Sequence, residues 1–442
     1  MKPVAVTALA LASLLHAGGA HAISLMQAYQ SALQNDPTYR SATHEYEAGL
    51  ENQVLGRSAL LPQVSASYSN SRVDADVVYI TNGIETPSRD LEYRSKSAVL
   101  QVRQPVFSLD AIARYHQGLS QTDYATAVFA SRKQELILRL AGTYTEALFA
   151  NTQLRLAEVQ REVYLEQRSV NNRLFEKGEG TKTDMLETEA RLDLAEAQVL
   201  EARDNVQTTL AALSAVVGQE VTAVDDVAAE FRLAPDAVIR FDEWRDIALR
   251  QNPDIIAMQF AVESSRQEIN KARAGHTPRV DLVASYAKNN SDTLNTLNQD
   301  SKQKSIGFQM NFPLYSGGSV SASTRQAVAG NEKAKADQQA TTDKVLVELR
   351  KQHAVVVSSV ARLRALDKAV ASGTLLVTAT EQSIKGGVRI NLDLLNAQQQ
   401  LTTTRRDQAQ ARYTYLMAML KLRAAAGVLD AEALREVAAY FR

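Results

Sequence analysis

The chain has 442 residues, 45% hydrophobic and 22% charged, which at about 150 residues per domain suggests about three domains. Lys and Arg number 49 against 50 Asp and Glu, a net charge of −1, so the basic excess that a nucleic-acid binder needs is missing. The absence of Cys excludes disulfides and lipid attachment through a thiol, and the few His residues are scattered without metal-ligand spacing.

In chain order, Lys2 precedes an apolar run from Val4 to Leu15 and then small residues ending Ala20-His21-Ala22. This pattern predicts a secretory signal peptide over 1–22, cleaved after Ala22. Beyond it no run of about 18 apolar residues occurs, so no transmembrane helix is expected in the mature chain. Ser24-Leu25-Met26-Gln27 fits a capping box that opens a first helix. Val64 to Ile80 and Leu91 to Phe107 lose helical spacing and favour Ser, Val and Tyr, with Asn82-Gly83 and Pro87 supplying turn chemistry between them. In the second half, Ile306, Phe308, Met310 and Phe312 alternate with Ser305, Gly307, Gln309 and Asn311, a strand with one oily and one wet face. Its partner is expected from about Arg279 to Asn290, with a polar, flexible connection over 291–300.

Residues 106–234 and 314–442 contain no proline, and each gap is 129 residues long. Proline costs about 3 kcal/mol inside a helix, so these gaps are where long helices fit. Positions 346, 349, 353, 356, 360, 363, 367, 370, 374 and 377 follow a heptad-like spacing, with His353, Asp367 and Thr374 as its polar members. Leu156, Val159, Val163, Val170 and Leu174 mark a similar seam in the first half. A helix from Ser108 to Leu174 is about 100 Å long at 1.5 Å per residue.

The halves also match one another. Pro105-Val106-Phe107-Ser108 returns as Pro313-Leu314-Tyr315-Ser316, and Gly178, Asp184, Leu186 and Gly218 return as Gly387, Asp393, Leu395 and Gly427. Matches in common order at a near-constant offset predict a duplication. The first repeat is expected over 23–218, with a hairpin at about 62–107 and helices at about 108–175 and 182–217. After a linker over 219–240, a second repeat is expected over 241–427, with a hairpin at about 278–315 and helices at about 318–384 and 391–426. Residues 428–442 form a tail.

An exported chain with an apolar strand face and no hydrophobic helix predicts an outer-membrane β-barrel. A β-sandwich gives the same alternation without needing the long helices. Four strands cannot close a pore, and an open edge in lipid leaves backbone groups unpaired at several kcal/mol each. The sheet is therefore expected to close between subunits.

The signal peptide, the two helix–hairpin–helix repeats, the pair Gly178-x5-Asp184-x-Leu186 and Gly387-x5-Asp393-x-Leu395, and the opening Leu25-Met26-Gln27-Ala28-Tyr29 with Asp36-Pro37 resemble the TolC family of outer-membrane export ducts. The likeness is to the branch serving type I secretion and spans 23–428. It implies an α+β membrane protein: a homotrimer with a twelve-stranded outer-membrane β-barrel, four strands per protomer, continuous with a long periplasmic α-helical barrel. At about 4.8 Å between strands and about 40° tilt, twelve strands enclose a diameter of roughly 24 Å. The family's periplasmic constriction falls by motif match on Thr183, Asp184, Arg389, Asp393 and Asn396. The resemblance implies a cation-attracting ring of Asp393 and an Arg389–Asp184 pair that holds the closed state. Helix capping is the plainer role for Asp184 and Asp393, each in a first turn. Ile384 stands where a linking tyrosine is typical and Asn396 where a second acidic ring is often found. The Gln398–Gln400 and Thr402–Thr404 runs fit either a watery bore or an exposed helix surface.

The resulting expectation is a passive exit duct in the cell outer membrane with a periplasmic extension. It would carry an exported protein from an inner-membrane ABC transporter and a periplasmic adaptor (a membrane fusion protein) to the outside, its barrel surrounded by outer-membrane lipid. A drug or metabolite efflux duct with small-molecule cargo is the alternative, and a periplasmic coiled-coil structural or adaptor protein a second. No enzymatic activity and no cofactor are expected, since neither a nucleophile elbow nor a phosphate loop is present.

Overall fold

The computed structural model describes residues 22–78, 80–85, 87, 89–226, 231, 240–293 and 296–441; the expected signal peptide lies almost wholly outside them. The elements run α1 (Leu25–Asn35), α2 (Pro37–Ser58), β1 (Gln63–Val77), β2 (Ile80–Thr81), β3 (Ile84–Glu85), β4 (Arg89–Phe107), α3 (Leu109–Glu176) and α4 (Lys182–Val217). They continue with α5 (Phe241–Gln251), α6 (Pro253–Arg273), β5 (Arg279–Thr293), β6 (Thr296–Asn311), α7 (Ser319–Lys385), α8 (Asn391–Ala426) and α9 (Ala431–Ala438). The helices α3 and α7, of 68 and 67 residues, occupy the proline-free stretches.

Local chemistry sets the helix starts. At α1 the Ser24 hydroxyl accepts from the Gln27 amide at 3.3 Å while the Gln27 side chain accepts from the Ser24 amide at 3.1 Å, a closed capping box. Proline occupies the first position of both α2 and α6, where its missing N–H is harmless. Each is preceded by a side-chain cap: Asp36 Oδ1 accepts from the Tyr39 amide at 2.6 Å, and Asn252 Oδ1 from the Asp254 and Ile255 amides at 2.9 and 3.1 Å.

The contacts divide the chain into two units rather than three, and each draws on both halves of the sequence. Unit 1 comprises residues 1–40, 133–244 and 349–442; unit 2 comprises 41–132 and 245–348. Unit 1 buries Leu25 and Ala32 from α1, Leu140 and Tyr144 from α3, Leu213 from α4, and Tyr415 from α8. The Tyr144 hydroxyl donates to the Ile23 carbonyl at 3.0 Å and accepts from the Asp225 amide at 3.2 Å. Burial, with the Asp225 charge next, raises the Tyr144 pKa. Asp36, almost wholly buried, receives Arg139 Nη2 at 2.6 Å. In α7 the buried stripe runs through Val345, Leu349, Gln352, Val356, Ser359 and Leu363. The expected seam is thus met at 349, 356 and 363, whereas His353 lies edge-on to Phe241.

Unit 2 carries a four-stranded antiparallel sheet in the order β1-β4-β5-β6. Asn82 and Gly83, with φ of 53° and 80°, turn the small β2–β3 hairpin. The connection expected at 291–300 is largely strand: pairing continues through Ser291↔Gln299 and Thr293↔Thr296. Polarity hid it, because a strand wet on both faces carries no alternation.

The register places even-numbered residues of all four strands on one face. Val64, Val102, Ala284 and Ile306 form one row across it, flanked by Leu282 and Phe308 on one side and Ala66, Leu100 and Tyr286 on the other. The odd face is mostly hydroxyl and amide: Ser65, Gln101, Ser285 and Ser305 form a row, and Ser285 Oγ lies 2.7 Å from Ser305 Oγ. Through residues 92–100 of β4 and 285–290 of β5, even positions are almost all exposed and odd ones half-buried, the asymmetry of a sheet curled toward its odd face. Ile306, Phe308 and Met310 are 76%, 73% and 63% exposed, apolar area that a lone protein in water has no reason to display. No helix among the described residues is long and apolar enough to cross a membrane.

Also within unit 2, α2 and α3 touch through their backbones. A Cβ added at Gly118 would stand 2.4 Å from the Asn52 carbonyl oxygen, and one at Gly56 would stand 2.8 Å from the Arg114 carbonyl oxygen. Gly118→Val should therefore force the helices apart and cost about 1–3 kcal/mol, read as a lower thermal midpoint by circular dichroism. An unchanged midpoint would show that the crossing is not tight.

Candidate functional site

The residues singled out by sequence gather at the two turns α3–α4 and α7–α8, all in unit 1. Both turns use glycine in the left-handed region, Gly178 at φ 78° and Gly387 at φ 72°. They return hydrogen bonds to the last carbonyls of the incoming helix: the Glu179 amide donates to Leu174 at 2.9 Å, and Val388 to Ser383 at 2.9 Å. The two turns then differ. In the first, Thr181 caps α4: its hydroxyl accepts from the Asp184 amide at 3.1 Å and donates to Asp184 Oδ2 at 2.6 Å. In the second, Ile390 stands at the cap and offers no side-chain acceptor.

Asp184 is therefore engaged by Thr181, and the pair expected between Arg389 and Asp184 is not the one formed. Arg389 Nη1, in the turn just before α8, instead lies 3.7 Å from Asp393 Oδ2 in the first turn of that helix, both side chains substantially exposed. Spacing of i to i+4 makes this the nearest carboxylate to reach without ordering a second helix. Thr183 is exposed. Asn396 joins two helices: its Oδ1 accepts from Arg191 Nη2 of α4 at 2.9 Å, and Arg191 also lies 3.5 Å from Glu187.

Sequence reasoning missed a polar network just behind these turns. Asn171 Nδ2 donates to Thr188 Oγ1 at 2.8 Å, and Thr188 Oγ1 donates to the Asp184 carbonyl at 2.8 Å. Gln167 Nε2 donates to Asn391 Oδ1 at 2.6 Å and to Asn171 Oδ1 at 3.2 Å, and Asn391 Nδ2 reaches Thr188 Oγ1 at 3.4 Å. Thr188 is fully buried and Asn171 nearly so. Three helices, α3, α4 and α8, are tied here by amides and one hydroxyl. Farther along α3, Tyr164, Leu192, Ala195 and Leu395 form a small apolar cluster. Gln399 accepts from the Tyr164 hydroxyl at 3.2 Å and Thr402 donates to Gln160, so these members of the Gln and Thr runs bond across helices. The expected seam of α3 is displaced: Val159 and Leu174 are 50% and 37% exposed, and the buried line runs one position on through Gln160, Tyr164 and Asn171, polar residues of the kind that fix register.

No group of His, Asp and Glu suited to a metal occurs among the described residues. Chemically the site offers carboxylates, amides and guanidinium groups that fix helices against one another and set local charge.

Thr188→Val keeps the shape and removes the hydroxyl, leaving the Asn171 and Asn391 amides short of a partner at about 1–3 kcal/mol. Amide exchange over residues 391–397 should quicken about tenfold; unchanged exchange would show that the network does not hold α8.

The outer membrane efflux protein family model matches residues 28–219 and 244–428. The chain is 40% identical over 424 residues to the alkaline protease secretion protein AprF of Pseudomonas aeruginosa, covering 96% of this chain and 88% of that protein. It is 37% identical over 435 residues to the proteases secretion protein PrtF of Dickeya chrysanthemi, covering 97% and 93% respectively. Among solved structures, the Campylobacter jejuni CmeC outer membrane channel superposes with a TM-score of 0.80 at 17% identity, over 95% of this chain and 90% of that one, a likeness of fold.

Proposed function

The chain belongs to the outer membrane efflux protein family, and from that premise we propose that it is the outer-membrane exit duct of a type I secretion system. The observation that carries the secretion reading is identity of 40% and 37%, over nearly the whole chain, with two proteins named for protease secretion. The duct itself follows from the sheet. Its even face is apolar over most of its length, its odd face wet, and the outer edges of its long strands β1 and β6 have no strand partner among the described residues. With four antiparallel strands, β6 of one copy runs antiparallel to β1 of the next, so identical head-to-tail contacts close a ring. Three copies make twelve strands, with the apolar face toward lipid and the wet face toward a bore. The two homologous-looking halves reflect a tandem duplication.

The energy for export comes from elsewhere: the chain serves as a passive conduit. An inner-membrane ABC transporter drives an exported polypeptide, and a periplasmic adaptor joins the transporter to the duct. Thr183, Asp184, Arg389, Asp393 and Asn396 line its periplasmic gate. In this reading Asp393, repeated around a three-fold axis, draws cations, and the nearby Arg389 tempers that charge. The Arg191–Asn396 bond and the network on Thr188 hold the gate's helices together. A drug or metabolite efflux duct would share this architecture, and its cargo would be small molecules.

Detergent-solubilised protein should sediment as a trimer and form pores in planar bilayers; a monomer without pore activity would refute the shared barrel. Asp393→Asn should lower the cation preference of those pores, whereas identical selectivity would place the charged ring elsewhere. In cells lacking the gene, protease export should stop while drug sensitivity stays unchanged; the reverse pattern would favour the efflux reading.

A further inference from the structure

Past its apolar stretch, the even face of the sheet turns basic. On β6 the apolar positions end at Ile306 and Lys304 and Lys302 follow; on β5 they end at Tyr286 and Lys288 follows; on β4 they end at Ala98 and Lys96 and Arg94 follow. Across the sheet the first cation shifts by one register row per strand. Lys304 lies in the row of Tyr286 and Leu100, Lys288 in the row of Ala98, Tyr68 and Lys302, and Lys96 in the row of Asn70, Asn290 and Asp300, the one acid in these three rows. A boundary that steps diagonally across the rows is what a planar interface draws on inclined strands. All these cations are exposed, and Lys96, Lys288, Lys302, Lys304 and Arg94 form no ion pair among the described residues.

The register also sets like charges against each other. Lys288 is directly opposite Lys302, and Arg72 is directly opposite Arg94. Directly opposed like charges destabilise a sheet. Among the described residues only Arg72 has an acid in an ion pair to relieve it, Glu92. The odd face at the same level holds Ser69, Ser97, Asn289 and Ser301, so the charge is confined to the apolar side. A belt of cations at the rim of an apolar band, with two directly opposed pairs and with its lysines in no ion pair among the described residues, suits an external anion at the level where hydrocarbon ends.

We infer that Lys96, Lys288, Lys302 and Lys304, with Arg94, form a binding belt for the phosphate groups of outer-leaflet lipid. The inference rests on the barrel reading above. Sidedness follows from connectivity: α2, α3, α6 and α7 join the strands at the end where Gln63, Phe107, Arg279 and Asn311 lie, and the belt lies toward the opposite end, where the turns are. With the helices on the periplasmic side, the belt meets the leaflet that faces outward. Its chemistry suits a lipid headgroup bearing phosphate monoesters: ammonium groups supply point charges and several donors each, and the aromatic ring of Tyr286 sits at the polar–apolar boundary, where such rings are favoured.

The test compares the purified, assembled protein with the variant Lys96→Gln/Lys288→Gln/Lys302→Gln/Lys304→Gln in mixed micelles. The probes are a bis-phosphorylated disaccharide glycolipid and the same lipid with both phosphates removed. The phosphorylated lipid should bind the unaltered protein at least about tenfold more tightly than the dephosphorylated one and raise its thermal midpoint. That preference should weaken with salt and disappear in the variant. Equal affinity for both lipids, or an undiminished preference in the variant, would overturn the inference. Pore conductance in planar bilayers separates the two readings. Absence of pores from the unaltered protein would remove the barrel and this inference with it. Normal pores without phosphate preference would remove the belt alone. Normal pores in the variant show that its loss of lipid preference is not a loss of fold.

Discussion

The backbone of two strands imposes the constraint on which the rest of the structure depends. β1 and β6 are the edges of a four-stranded sheet, 15 and 16 residues long. An unpaired edge is tolerable in water when it is short, charged or covered. Here the strands lead from helices at one end into turns at the other, and the face shared by Val64, Val102, Ala284 and Ile306 is apolar from edge to edge. In hydrocarbon each unpaired amide or carbonyl costs several kcal/mol. In the proposed duct, copies of the chain complete one another's sheet, which reconciles the oily face with the open edges.

The helical part answers a different demand. In the proposed duct, a bore that is held and released calls for helices whose register is fixed but whose packing is not uniformly apolar. The buried line of α3 supplies this by setting Gln160 and Asn171 beside Tyr164, and the buried stripe of α7 by including Gln352 and Ser359. Buried amides and hydroxyls are directional, so the helices meet in one register or lose hydrogen bonds. Behind the turns, Thr188 concentrates this effect, since bonds from Asn171 and Asn391 converge on its hydroxyl. Arg191 and Asn396 add a tether nearer the surface, where solvent access makes a bond easier to break.

Features fixed by nearest neighbours in sequence were legible. The capping box of α1, the Asn82-Gly83 turn, the alternation of Ile306 to Met310 and the proline-free course of α3 and α7 each follow from local rules. Local rules fail where both faces of a strand are wet, as over 291–300, whereas β1 falls where the Ser, Val and Tyr of Val64 to Ile80 placed it. They fail again where partners come from helices far apart in sequence. Arg389 was expected to reach Asp184, but Thr181 already engages that carboxylate, and Asp393 lies only four residues from Arg389 at the start of α8. The network on Thr188 joins residues from α3, α4 and α8, and only the fold brings them together.

Shared closure of the sheet is most directly read in the edge strands themselves. Amide hydrogen exchange on the assembled protein should protect β1 and β6 to the same degree as β4 and β5, because every edge amide then has a neighbour. Rapid exchange in β1 and β6 beside slow exchange in β4 and β5 would contradict the account, for it would mean that each chain leaves its edges open.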